Sequence, residues 1–249
     1  MNIFYRILIL VGVAAVVAAC GGNDDTSNED VDPQALLEQA ATELDNTDSF
    51  EIVLGTDGAP VTLNAGNVGL DIPITLEGAE GAFVRPDALG GTVKVLLEDI
   101  AADVDIAIIG DDQYINQTLI TFGNWQLMTF LDDFNPETLL SGDDSIQAAL
   151  RAFENITYEG QTDLDGLSVH HVRGEVAAAK VDAVTVGLIG TDTGTIVVDA
   201  YIRTNDNRLE QLVVNEPASD TNSGAVTWTI GLYNYNGDYE VTRPKVGAE

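Results

Sequence analysis

From Phe50 onward, apolar residues recur at every second position, and that period returns along most of the chain. Phe50, Ile52 and Leu54 alternate with Glu51, Val53 and Gly55; Val93, Val95 and Leu97 repeat the habit; Val104, Ile106 and Ile108 alternate with Asp103, Asp105 and Ala107. A period of two sends one set of side chains to each face of an extended chain, so each run predicts a half-buried strand. Turn signals divide the runs at Arg85-Pro86-Asp87-Ala88-Leu89-Gly90-Gly91, Gly110-Asp111-Asp112 and Phe122-Gly123-Asn124. The pattern predicts a meander of antiparallel strands with one apolar face, and such a face must be covered.

The cover is written at helical spacing. Asp32 suits an N-cap, Pro33 a first helical position, and Leu36, Leu37, Ala40, Ala41 and Leu44 form one stripe ending near Asn46. Asn135-Pro136 starts a short helix that ends near Gly142, and Ile146, Ala149, Leu150 and Phe153 give the face of another. Strands resume at about 156–161 and 167–174 around the turn Asp163-Leu164-Asp165-Gly166. A weaker helical stretch spans 175–184, and strands follow near 195–203, 208–215 and 225–235. This order predicts an α+β fold: a single curved antiparallel β-sheet whose apolar face carries a few amphipathic helices, in one domain over 32–249.

The N-terminus is organised differently. An apolar run from Ile3 to Ala19 ends in Val17-Ala18-Ala19-Cys20, followed by the small, polar, acidic stretch Gly21-Gly22-Asn23-Asp24-Asp25. Small residues before a lone cysteine fit diacylglycerol transfer and cleavage ahead of Cys20, which predicts a lipoprotein signal peptide over 1–19. Two or three acyl chains, diacylglycerol and palmitate, would anchor the chain durably, since one chain alone holds marginally. The alternative is an uncleaved helix, near the lower limit of about 17 residues for a span. Residues 20–31 read as the acylated cysteine and a flexible acidic linker with a reach of about 18 Å. The expected location is extracytoplasmic, tethered to the cell membrane through Cys20.

The net charge of −31 excludes nucleic acid as a partner, because phosphate neutralisation needs clustered Lys and Arg. It also disfavours flat adsorption on anionic headgroups; solubility or a saline medium explains it equally well. Chemistry is sparse. His170 and His171 are adjacent in a strand and point to opposite faces, so they do not share a metal. Ser168 lacks the Gly-x-Ser-x-Gly turn, and Asp163, Asp165 and Gly166 are too few for a calcium loop. No catalytic residue, metal or cofactor is expected, and a hydrolase is set aside because no nucleophile, base and orienting group converge. Trp125 and Trp228 suit either a lipid opening or the anchoring of a strand in the core.

Several stretches, taken in order, resemble the LppX/LprAFG family of bacterial lipoproteins and, more distantly, the LolA/LolB carriers. They are Pro33-Gln34-Ala35-Leu36-Leu37 leading to Ser49-Phe50; Glu80-Gly81-Ala82-Phe83-Val84-Arg85-Pro86-Asp87; Tyr114-Ile115-Asn116 before Gly123-Asn124-Trp125; Phe134 to Leu140; Asp165 to Gly174; and Thr227-Trp228-Thr229 through Tyr235 to Pro244. The resemblance implies a half-barrel with helices on its concave face. It also implies a hydrophobic cavity that takes acylated lipids or glycolipids for carriage through the envelope, with no catalytic residues and with an envelope transporter as a further partner class. Asn64–Ile74, rich in Gly and Asn, departs from the family pattern. The residues expected to meet lipid are Phe50, Ile52, Leu54, Val93, Val95, Val104, Ile106 and Ile108, lidded by Leu150 and Phe153. Ten methylenes withdrawn from water supply about 8 kcal/mol, about the free energy of micromolar binding. Two readings stay open: an oily cavity on the scale of several hundred Å3, or the same residues meeting one another in a solid core, which would make the protein a structural or interaction lipoprotein without cargo.

Overall fold

The computed structural model describes residues 31–63, 73–131, 134–181, 183–185, 187–190, 194–219 and 224–246. Segment 1–19, Cys20, the linker up to Asp30 and most of the Asn64–Ile74 stretch lie outside them.

Helix α1 (Pro33–Asp45) starts as its sequence dictates: the Asp32 carboxylate accepts hydrogen bonds from the Gln34 and Ala35 amides, and Leu36, Leu37, Ala40, Ala41 and Leu44 are buried. Its other end is held from across the sheet. Arg85 donates through Nε to the Thr47 carbonyl at 2.6 Å and through Nη2 to the Leu44 and Asp45 carbonyls at 3.3 Å. A cation at a helix C-terminus meets carbonyls that lack partners within the helix.

Among the described residues, twelve strands form one antiparallel sheet: β1 (Ser49–Gly58), β2 (Val61–Leu63), β3 (Ile74–Val84), β4 (Ala88–Leu97), β5 (Ile100–Ile109), β6 (Asp112–Asn116), β7 (Gln126–Leu127), β8 (Glu154–Leu164), β9 (Leu167–Ala177), β10 (Thr195–Arg203), β11 (Leu209–Glu216) and β12 (Val226–Tyr233). The spatial order is β7-β6-β5-β4-β3-β1-β12-β11-β10-β9-β8, with β2 added beside β3. The first strand therefore pairs with the last, Leu54 opposite Ile230, and joins an N-terminal meander to a C-terminal one. The sheet is curved and open, as the alternation predicts. No helix among the described residues is long and apolar enough to cross a membrane.

The inner face of the C-terminal meander carries Val172, Val176, Ile196, Val198, Ala200, Ile202, Leu212, Val214, Trp228, Ile230 and Leu232, all buried. Helices α1 and α3 (Ala178–Val181) pack over it, and α2 (Ile146–Arg151) packs against both of them. Two 3-10 turns, Pro136–Leu139 and Ala183–Thr185, carry the chain back towards the N-terminal meander.

Three local expectations change. Within 135–142 the helix is a 3-10 turn, Pro136–Leu139, capped by Asn135. The stretch 175–184 is strand as far as Ala177, because Glu175, Val176 and Ala177 pair with Val197, Ile196 and Thr195; among its described residues Ala178–Val181 is α-helical and Ala183 begins a 3-10 turn. Gly90 and Gly91 belong to β4 rather than to a turn: they pair with Ala82 and Gly81 on one side and with Ala107 and Ile106 on the other.

Candidate functional site

Register places Gly81 directly opposite Gly91 on the inner face, between Ala79 and Phe83 on β3 and between Leu89 and Val93 on β4. The strands come unusually close there. A Cβ on Gly91 would lie 2.2 Å from the Glu80 carbonyl oxygen, and one on Gly81 would lie 2.5 Å from that of Gly90. Only glycine fits, for want of space and not for want of conformational freedom. The result is a patch of sheet floor with no side chains.

Above that floor is an apolar cavity of about 120 Å3. Ile52 and Leu54 of β1, Leu63 of β2, Leu76 and Ala79 of β3, Leu89 and Val93 of β4, and Ile106 of β5 form its walls; Phe130, Leu131, Val184 and Leu188 roof it. The volume falls short of the several hundred Å3 expected. For scale, an engineered apolar cavity of about 150 Å3 takes one benzene. A hollow of this volume matches a short piece of acyl chain.

Both roof segments are held by buried polar side chains. Gln113 of β6 accepts hydrogen bonds at Oε1 from the Phe130 and Leu131 amides, both 2.9 Å. It donates through Nε2 to the Leu131 carbonyl at 2.6 Å and to that of Phe134 at 3.4 Å. It is 3 % exposed, so those bonds are made without competition from water. On the other side, Glu216 of β11 is 1 % exposed; its carboxylate accepts from the Gly190 amide at 2.8 Å and from Trp228 Nε1 at 2.9 Å. That pair fixes the segment bearing Leu188 to the last strands. Thr185, fully buried beneath it, donates to the Val181 carbonyl.

Of the residues expected to meet lipid, Ile52, Leu54, Val93 and Ile106 line this cavity. Phe50 stacks on Phe83 with ring centroids 5.1 Å apart, and Ile108 is fully buried in the core. Val95 and Val104 belong to a smaller cluster with Ile74 and Leu97 near the far end of β4 and β5. Leu150 and Phe153 sit in the main core, and Phe153 lies against the place where Gly174 has no side chain. Gln113, Glu216 and the four roof residues were not singled out in the sequence, where Gly91 reads only as part of a turn signal and Gly81 only as part of a family-like stretch. A buried Gln or Glu inside an alternating strand is the one signal that could have marked two of them.

The histidines separate as the period of two requires. His170 faces inward with Nδ1 2.9 Å from the Tyr158 hydroxyl, and burial lowers its pKa from 6.5. His171 faces outward with Nε2 2.8 Å from Asp199, which also accepts from Arg173 and Asn215, both at 3.1 Å. Asp199 is thereby saturated with donors on the outer face. Among the described residues, no three His, Cys, Asp or Glu side chains are grouped to hold a metal. Trp228 is a core anchor; Trp125 is half-buried near the outer-face segment that carries Tyr239 and Val241.

Comparison with known proteins places this geometry. A family model described as "LppX_LprAFG lipoprotein" matches residues 32–241. The fold is similar to the crystal structure of LprF from Mycobacterium bovis, with a TM-score of 0.63 at 17% identity, covering 86% of this chain and 97% of that one. It is also similar to that of the Mycobacterium tuberculosis lipoprotein LppX, with a TM-score of 0.57 at 15% identity, covering 84% and 98%. No curated protein sequence matches this chain.

Proposed function

This chain belongs to the LppX_LprAFG lipoprotein family, and from that premise we propose that it is a non-enzymatic, membrane-anchored carrier that shelters acyl tails of lipids or glycolipids within the cell envelope. Membership in a lipoprotein family implies an extracytoplasmic, anchored protein. Cys20 is the residue proposed to bear the diacylglycerol and palmitate, with 1–19 removed as signal peptide, 20–31 serving as the tether and 32–249 as the carrier domain.

The observation that carries the reading is the cavity over the Gly81–Gly91 floor, which is apolar on every wall and large enough to start an acyl chain. A whole tail needs more room, so cargo enters as the roof lifts. The two roof segments lie outside the sheet and are held through Gln113 and Glu216, so they can move without breaking a strand pair. Each such hydrogen bond contributes on the order of 1 kcal/mol. Burying ten methylenes at about 0.8 kcal/mol each offsets the loss of several.

Native mass spectrometry of protein purified from its own membrane tests this directly. Co-bound lipid is expected in the wild type and is expected to fall at least about tenfold in Ala79→Phe, whose ring fills the hollow. Protein free of lipid that also fails to take up an added fatty-acyl probe would defeat the proposal. The N-terminal peptide from the same sample is expected to begin at an acylated Cys20; an unmodified cysteine would remove the anchor assignment. The small volume also favours a second reading, an interaction lipoprotein of an envelope assembly that uses the fold without cargo. A roof that stays shut in the presence of lipid selects it.

A further inference from the structure

The loop between β6 and β7 is built inside out. Gln117 is almost wholly buried and Thr121 fully so, whereas Leu119 is 61% exposed and Phe122 83%. This is not loose packing. The Gln117 Oε1 accepts from the Leu119 and Ile120 amides, the Thr121 hydroxyl accepts from the Gln117 amide at 2.9 Å and donates to its carbonyl at 2.9 Å, and the Asn124 amide closes on the Thr121 carbonyl at 3.1 Å. Phe122 itself is held at φ +53°, a left-handed conformation that bulky residues rarely adopt. A polar frame therefore spends its hydrogen bonds on keeping two large apolar side chains in the open. Leu127, a few residues on, is 57% exposed, and the same segment then supplies the cavity roof at Phe130 and Leu131.

Charge narrows what covers these side chains. From Gln113 to Leu131 there is no Asp, Glu, Lys or Arg, in a chain with 41 acidic and 10 basic residues. Two other uncharged stretches are of similar length: 7–23, which lies outside the described residues, and 221–237, which passes through β12, where Val226, Trp228, Ile230 and Leu232 point into the core. Displayed apolar side chains, an indole three residues along the chain at Trp125 and a segment without charge suit the boundary between headgroups and acyl chains, where an ionised group is costly and aromatic rings settle. A strongly acidic body would meanwhile be repelled by anionic headgroups.

We infer that the loop carrying Leu119 and Phe122 is a membrane-docking tip that enters the acyl region of an electrically neutral bilayer surface and sets the cavity roof beside the lipid to be taken up. The inference rests on the carrier reading for its purpose, while its test does not need cargo.

The two tryptophans make that test local. Full-length protein is mixed with phosphatidylcholine vesicles whose acyl chains are brominated, and indole emission is recorded. Trp228 is fully buried and supplies a constant background, so the quenched fraction comes from Trp125. Quenching is expected in the wild type, is expected to vanish in Trp125→Phe, and is expected to need on the order of tenfold more lipid for each side chain removed in Leu119→Ser and Phe122→Ser. Both substitutions strip exposed groups, and an unchanged unfolding temperature confirms that the variants are folded. Equal quenching in wild type and the double variant overturns the inference. So does an unquenched wild type that forms dimers which the double variant does not, since the loop would then be covered by a second copy. Uptake of a monomeric fatty-acyl probe, measured without vesicles, separates the two readings: retained uptake with failed docking removes only the tip, and lost uptake removes the carrier.

Discussion

The sheet meets a missing side chain in two ways. In the C-terminal meander, Gly174 leaves a gap on the inner face that a ring occupies: a Cβ there would lie 2.8 Å from Phe153 Cδ1. In the N-terminal meander, Gly81 and Gly91 face each other across two strands, and what lies over them is a cavity roofed by Phe130, Leu131, Val184 and Leu188. The same residue type thus closes one half into solid core and leaves the other hollow. What differs is the element above. Helix α1, with α2 packed against it, lays a continuous apolar stripe on the first half, whereas irregular segments held through two polar side chains span the second. Stability is concentrated in the half that packs, and room for a ligand in the half that does not.

The largest expected effect lies in the packed half. Trp228→Ala removes a fully buried indole and the donor it gives Glu216, at an expected cost of about 3–5 kcal/mol in chemical denaturation. Gly174→Ala should cost about 1–3 kcal/mol, because the added methyl meets both Phe153 and the Glu154 carbonyl. If Ala79→Leu on the hollow side costs as much as Gly174→Ala, the two halves are equally full. The expected result is a change under about 1 kcal/mol, with reduced acyl-probe affinity.

Gln113→Met keeps the side-chain length but strands the Phe130 and Leu131 amides, so it should cost about 1–3 kcal/mol and speed release of a bound acyl probe. Stopped-flow dilution reads that rate, and an unchanged rate would mean that the roof does not gate the cavity. The smallest effect is electrostatic. Burial lowers the His170 pKa, so the unfolded chain binds the proton more readily. The neutral imidazole's contribution is complete above the ordinary value near 6.5 and is lost as pH falls through the lower folded-state value. His170→Phe should flatten the stability profile in that window and leave it unchanged above.

Much of the architecture was legible in the residues. Asp32 and Pro33 start α1 where expected, the alternation at Phe50, Val93 and Val104 marks three strands of one face, and the histidine pair divides between faces. The site was less legible because its decisive features are non-local. Gly90-Gly91 reads locally as punctuation; that it is strand, and opposite Gly81, depends on a register fixed by three strands at once. Glu175 to Ala177 favour a helix by composition, and a partner strand nearly twenty residues downstream claims them instead. Phe130 and Leu131 show no period at all, since a roof held by one glutamine side chain needs none.

The account stands on acyl chains entering the hollow half of the inner face. A photoactivatable fatty-acyl lipid, loaded and irradiated, with the modified residues then located by mass spectrometry, tests that most directly. Labelling is predicted at Ile52, Leu54, Ala79, Val93 and Ile106, with Val198, Ala200 and Ile230 unmodified. Labelling spread equally over both halves, or confined to the outer face, would contradict it.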